Sequence, residues 1–236
     1  RDPARAAEAS EGSDVVVNLA GAPVAERWTE ERKREIARSR SDLPAAFLGQ
    51  LERLARRPAA YVSASAIGYH GISRTATFTE TSPPGDDFLA RVCVAWEAQA
   101  LRARDLGLRV AIVRTGLVLG SGGGALAKLL PLFRSGLGGP VASGEQWYSW
   151  IHLDDQVGIY LLAIDGYAGT LNATAPNPVT NREFTRALAA AVHRPALLPA
   201  PEFALKLAFG EGAYVVTEGQ RVLPQATLAA GYRFRY

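Results

Sequence analysis

Short runs of β-branched and small residues alternate along this chain with longer stretches whose apolar positions recur at helical spacing. That alternation restricts the fold to the α/β class, with parallel strands joined by crossover helices in a doubly wound sheet. Asp14–Gly21 (DVVVNLAG), Ala60–Gly68 (AYVSASAIG) and Arg109–Gly120 (RVAIVRTGLVLG) read as buried strands that close on small residues. Between them, Thr29–Arg40 and Pro44–Arg57 carry helical patterns, with Glu30 and Glu31 in the first turn of the former, where the helix dipole favours acid. Asp86–Leu106 is the longest such pattern and places Leu89, Val92, Cys93, Trp96 and Ala100 on one side, predicted to face the sheet. Further on, Ala125–Arg134 reads as a helix and Gln146–Leu153 as a strand. Asp154 or Asp155 then caps a helix reaching Ile164, and Gly169–Thr174 reads as a strand. Thr180-Asn181-Arg182-Glu183 is a capping-box pattern for a helix to Val192, and a second helix is predicted near Phe203–Phe209.

With 48% hydrophobic residues among 236, the chain can bury one sizeable core, or a larger domain with a smaller companion. Its longest apolar stretches, such as Val110–Val113, fall far short of a bilayer, so a cytoplasmic protein with no membrane partner is expected. A single cysteine, Cys93, excludes a disulfide framework, and His70, His152 and His193 are too scattered for a metal site, so no metal is expected. The formal charge of +3 is spread over helical faces such as Arg32–Arg34 and Arg53–Arg57, which argues against a nucleic-acid partner. A small-molecule substrate is the partner that remains.

A parallel sheet binds its ligand beyond the carboxyl ends of its strands. Asn18-Leu19-Ala20-Gly21 closes the first strand with residues that let a flat ring or a ribose approach the backbone. Ser63-Ala64-Ser65 closes the second strand, Arg114-Thr115-Gly116 interrupts the third, and WIHLDD at 150–155 leads into a late helix. Each taken alone also fits a tight turn; their order and spacing together point to a ligand. Gly122-Gly123-Gly124 ahead of a helix offers backbone amides to an anion, yet its spacing is not that of a P-loop, so it reads as a substrate-side loop.

In these segments the chain resembles the extended short-chain dehydrogenase/reductase superfamily. It is most similar there to the atypical NAD(P)-dependent epimerase/dehydratase-like branch, whose members are also described as cell-division-inhibitor homologues. The resemblance runs through NLAG at 18–21, SASAIGYHG at 63–71, SPPGDDFLARVCVAWE at 82–97, RTGLVLGSGGGALAK at 114–128, GLGGP at 136–140, SWIHLDD at 149–155, NATAPNPVTNREF at 172–184 and GQRVLP at 219–224. It implies a Rossmann-type sheet and a nicotinamide cofactor, with Asn18, Leu19, Ala20 and Gly21 beside the adenosine half. Ser63 and Ala64, leading to Ser65, are implied near the nicotinamide, and Arg114, Thr115 and Gly116 complete the cofactor set. Arg1-Asp2-Pro3 looks like the end of the family's second strand, where an arginine favours the extra phosphate of NADP, NAD being the alternative. Arg1 equally fits a solvated terminal residue.

The superfamily's enzymes use a tyrosine as general acid/base, a lysine one helical turn on that lowers its pKa, an orienting serine and a supporting asparagine. Here Leu89 falls at the tyrosine position and Cys93 at the lysine position, and neither can do the original work. Ser65 falls at the orienting serine and Arg40 at the asparagine. Tyr69 is a further candidate for proton transfer, with core or cofactor packing as its other reading. Cys93 is either an inert buried thiol or, with a cation such as Arg40 nearby, a thiol of lowered pKa. His152 and Asp155 fall where the family fixes two domains together.

The domain division expected is a dinucleotide-binding Rossmann domain over 1–120, continued by about 146–175, and a smaller substrate-side domain from 121–145 and 176–236. The family's glycine-rich turn, GxxGxxG, does not occur, and the chain contains no methionine. Roughly thirty to forty further N-terminal residues are therefore expected, the span of a βα unit and the next strand. Without them two half-sheets with facing unpaired edges are predicted. The function expected is an NADP-dependent oxidoreductase or epimerase-like enzyme on a small hydroxyl- or carbonyl-bearing substrate, and the alternative is an NADPH-binding sensor without turnover.

Overall fold

The computed structural model describes residues 2–236. In chain order the elements are α1 (Pro3–Glu8), β1 (Val15–Asn18), α2 (Glu30–Leu51), β2 (Ala60–Ala66), β3 (Thr77–Phe78), α3 (Phe88–Leu101), β4 (Arg109–Thr115), β5 (Leu117–Gly120), α4 (Gly124–Arg134), β6 (Trp147–Tyr148), β7 (Trp150–His152), α5 (Leu153–Ile164), β8 (Gly169–Ala173), β9 (Val179–Thr180), α6 (Asn181–Ala191), α7 (Glu202–Phe209), α8 (Tyr214–Thr217), β10 (Arg221–Val222) and α9 (Gln225–Ala229). The main sheet is parallel throughout, in the order β1-β2-β4-β8. These strands form one continuous sheet with β1 at its edge, so the two half-sheets expected from the sequence do not occur; the strands of this chain all lie on one side of that edge.

Side-chain alternation assigns the two faces. Val16, Tyr61, Val110 and Ile112 pack with Leu48 and Leu51 of α2 and Ala100 of α3. Val62, Ala111, Val113 and Leu171 face the other way, onto Ile159 and Ala163 of α5. Tyr61, Leu51, Ile159 and Leu171 are fully buried, each worth roughly 1.5–3 kcal/mol if an aliphatic-sized side chain is removed from water. Cover is thinner beside β1: Val17 on that strand and Leu153, Val157 and Leu161 along α5 are exposed. Among the described residues no helix is long and apolar enough to cross a membrane.

Several predicted boundaries move for identifiable reasons. Thr29 caps α2 through its side chain, as its position suggested, but the helix runs unbroken through Pro44 to Leu51. Pro44 forfeits an intrahelical hydrogen bond, and burial of Ile36, Ser39, Pro44, Leu48 and Leu51 along one stripe holds the helix together across it. The single strand predicted over 109–120 is two. At Gly116 a side chain would strike the Ser149 carbonyl and Thr174, so the chain crosses there and β5 leaves the main sheet to pair with β7. His152, rather than Asp154 or Asp155, caps α5, its Nδ1 accepting from the Asp154 amide at 3.1 Å. Asp155 is fully buried and accepts from the Tyr232 hydroxyl and the Arg235 and Tyr236 amides. The carboxylate therefore pins the C-terminal residues to the body. Asp2 caps α1 by accepting from the Ala4 amide, which makes Asp2-Pro3 a helix start rather than a strand end. Arg1 lies outside the described residues.

Candidate functional site at the strand tips

The strand ends are stepped. Asn18, the last residue of β1, pairs with Ser63, while β2 continues through Ala64, Ser65 and Ala66. The step leaves a shelf bordered by the exposed Leu19-Ala20-Gly21 turn and the half-buried Ala64 and Ala66. Asn18 sets that turn: its Oδ1 accepts from the Ala20 amide at 3.1 Å, and its Nδ2 donates to the buried Tyr61 hydroxyl at 2.8 Å. Burial pushes the Tyr61 phenol up to about 12, so it stays neutral as that acceptor.

Arg40, from the middle of α2, reaches the same turn. Its guanidinium lies over the Trp96 ring, 4.9 Å from the centroid, and Nη1 donates to the Ile36 carbonyl and Ser39 Oγ, both at 3.3 Å. Ser39 in turn accepts from the Ala22 amide at 3.0 Å. Burial, and after it the charge of Arg32, draw the Arg40 pKa below the ordinary arginine value. Leu89 and Cys93 stand against Gly68, where a tyrosine and lysine would act in the wider superfamily.

Other expected site residues are drawn elsewhere. The Ser65 hydroxyl is buried and donates its proton to Glu97 Oε1 at 2.6 Å. Arg114 is buried too: Nε and Nη2 grip Glu97 Oε1 and Oε2, both at 2.8 Å, and Nη1 donates to the Glu80 carbonyl. That carboxylate is what lets the guanidinium stay buried. Tyr69 packs its ring beneath Arg114, 3.4 Å from the guanidinium carbon. Ser63 is buried and donates to the neighbouring Ala64 carbonyl. Thr115 accepts from Gln156 of α5, and Gly116 lies in the β4–β7 crossing. Cys93 answers the sequence's open alternative: burial, reinforced by the Glu97 charge, pushes the thiol up to about 12, against the weaker pull of Arg40. The thiol is protonated and inert, the reverse of an activated nucleophile.

The structure sets Arg40 against Gly21 and Asn18 beside Ala20, and the sequence had not singled out Glu97 or Tyr61 for these contacts. Glu97 carried a signal: a carboxylate on the apolar stripe of α3 is buried only when something answers it.

Residues 1–174 match the NAD dependent epimerase/dehydratase family, and residues 200–236 match a domain of unknown function (DUF1731). The chain is 47% identical over 230 residues to the epimerase family protein SDR39U1 homolog, chloroplastic, of Arabidopsis thaliana, covering 96% of this chain and 66% of the relative. It is 40% identical to the epimerase family protein SDR39U1 of Mus musculus, covering 94% and 78%. The crystal structure of the human epimerase family protein SDR39U1 (isoform 2) with NADPH superposes with a TM-score of 0.93 at 37% identity, covering 99% of this chain and 82% of that one. The chain thus spans 66% of the plant relative's length.

Proposed function

Because the chain belongs to the NAD dependent epimerase/dehydratase family, we propose that its strand tips take up a nicotinamide dinucleotide, NADP in preference to NAD. On this reading it is an oxidoreductase or epimerase-like enzyme acting on a small hydroxyl- or carbonyl-bearing substrate. The observation that carries the proposal is the stepped shelf at the ends of β1 and β2, floored by small residues and faced by Arg40. The NADPH in the human structure supports the choice of cofactor. A bound nicotinamide supplies a hydride donor or acceptor.

The residues present fit such a group. Ala20, Gly21, Ala64 and Ala66 let a flat ring lie close to the backbone, and Asn18 fixes the turn that borders it. The Arg40 guanidinium offers N–H donors beside this shelf to a substrate oxygen that carries negative charge. Leu89 and Cys93 move no proton, so the proton comes from water or from the Tyr69 hydroxyl. Residues 121–145 and 176–236 form the substrate side.

The second reading, an NADPH-binding regulatory module without turnover, is favoured by one observation: the Ser65 hydroxyl is committed to Glu97. Titration with NADPH and NADH, followed by a hydride-transfer screen over ketones, aldehydes and sugars, separates the two. We expect NADPH to bind at least about tenfold more tightly than NADH, a difference of about 1.4 kcal/mol, and oxidation of NADPH by some carbonyl compound. Binding without turnover across the panel moves the conclusion to the regulatory module, and failure to bind either dinucleotide removes both.

A further inference from the structure

Arg40 is a half-buried cation with no carboxylate partner among the described residues. Three other arginines packed into the fold are answered, Arg114 by Glu97, Arg32 by Glu26 and Glu35, and Arg109 by main-chain carbonyls of Ala163 and Ile164, whereas Arg221 has, among the described residues, the Thr77 hydroxyl alone. At Arg40 only Nη1 is engaged, by two neutral acceptors at the long end of hydrogen-bond distance. The Nε/Nη2 edge, the one that grips a carboxylate through two parallel bonds, has no partner within the described residues.

Gly21 packs against the flat face of this guanidinium: a Cβ there would stand 2.9 Å from Nη2, 3.0 Å from Cζ and 3.4 Å from Nε. Its backbone is not in the left-handed region, so it is this close approach, and not conformation, that calls for a glycine. The Nε/Nη2 edge lies in the plane, beside that contact. Placing a charge partly out of water without a counter-ion is unfavourable, and a ligand carrying one negative charge completes the pair.

We propose that Arg40 is the seat for a carboxylate of the substrate, so that the small molecule transformed at the strand tips is an oxo or hydroxy acid. This deepens the functional reading above and rests on it for the chemistry. A planar carboxylate matches the two-donor edge and balances the single charge, whereas a phosphate dianion would be left half answered by one arginine.

The test is calorimetric binding of oxamate and lactate, each against its neutral amide (oxamide, lactamide), to the full chain with and without NADPH. The wild type is expected to hold each carboxylate at least about tenfold more tightly than its amide. Arg40→Met is expected to abolish that preference. Arg40→Lys should keep part of it, since the charge remains and the fork does not. NADPH affinity should change by less than about threefold in both Arg40 variants.

Equal affinity for acid and amide in the wild type overturns the proposal. So does a folded Arg40→Met variant, checked by circular dichroism, that retains the preference. A variant that loses NADPH and keeps oxamate overturns it as well, because Arg40 then serves a cofactor phosphate. Oxamate binding to a wild type that takes up neither dinucleotide supports the seat and removes the dinucleotide reading alone.

Discussion

Two arginines on the same face of the sheet, each lying on an aromatic ring, stand in opposite situations. Arg114 sits on Tyr69 at the interior ends of β2, β4 and β8. Glu97 answers its Nε and Nη2, the Ser65 hydroxyl joins the same carboxylate, and Glu80 links the cluster to the amide of Asn172. Arg40 sits on Trp96 at the tip of β1 and meets no carboxylate among the described residues. A closed polar cluster holds strands and helix in register; an open one has donors left for a ligand. Ser65 and Arg114, residues of marked chemical character, thus spend their polar groups on Glu97 inside the fold.

The largest expected effect follows from opening the closed cluster. Glu97→Ala leaves the Arg114 guanidinium buried without a partner and strips the acceptor from Ser65, and removing one member of a buried pair costs about 3–5 kcal/mol. Urea unfolding should show the midpoint falling with an unchanged slope. A loss under about 1 kcal/mol, typical of surface pairs, would mean the cluster is hydrated and the contrast with Arg40 is false.

Acid probes the same cluster less forcefully. His70 is buried next to Arg114 and stacked on Phe78, and burial followed by the Arg114 charge pulls its pKa down to about 4. Below about pH 6.5 the unfolded chain binds a proton that the folded chain refuses until about pH 4. Stability is therefore complete at neutral pH and falls as pH drops through that window, by up to about 3 kcal/mol. The loss should be absent from His70→Phe, read as the difference in denaturation midpoints at pH 7 and pH 4.5. Equal acid sensitivity in both proteins would show that the imidazole is not held neutral by this surrounding.

The sheet and its tips were legible because strands and helices write their periods into contiguous residues. DVVVNLAG, AYVSASAIG and the Leu89–Ala100 stripe each announced an element and the face it buries. The pairing of Glu97 with Ser65 and Arg114 has no period: the partners come from three elements and meet only after the sheet has formed. Two hints were present, a carboxylate within the apolar stripe of α3 and an arginine within the β-branched run RVAIVRTG, and both mark charges that must find each other indoors. The position-by-position resemblance drew Ser65 and Arg114 toward the ligand because it carries no information on which way a hydroxyl or guanidinium turns once a neighbouring helix supplies a carboxylate.

The smallest expected effect on stability is the most telling for the comparison. Arg40→Met removes a cation that no carboxylate among the described residues answers, while the methionine stem retains much of the contact with Trp96. The lost bonds to Ile36 and Ser39 are long and neutral, worth about 0.5–1.5 kcal/mol each at most, and relief of the guanidinium's desolvation offsets them. The net change should stay within about 1 kcal/mol of the wild type, against the several lost on opening the Glu97 pair. Were the Arg40→Met protein to unfold as readily as Glu97→Ala, Arg40 would be a structural residue like its counterpart, and the tip of β1 would have no more claim to a ligand than the interior ends of β2 and β4.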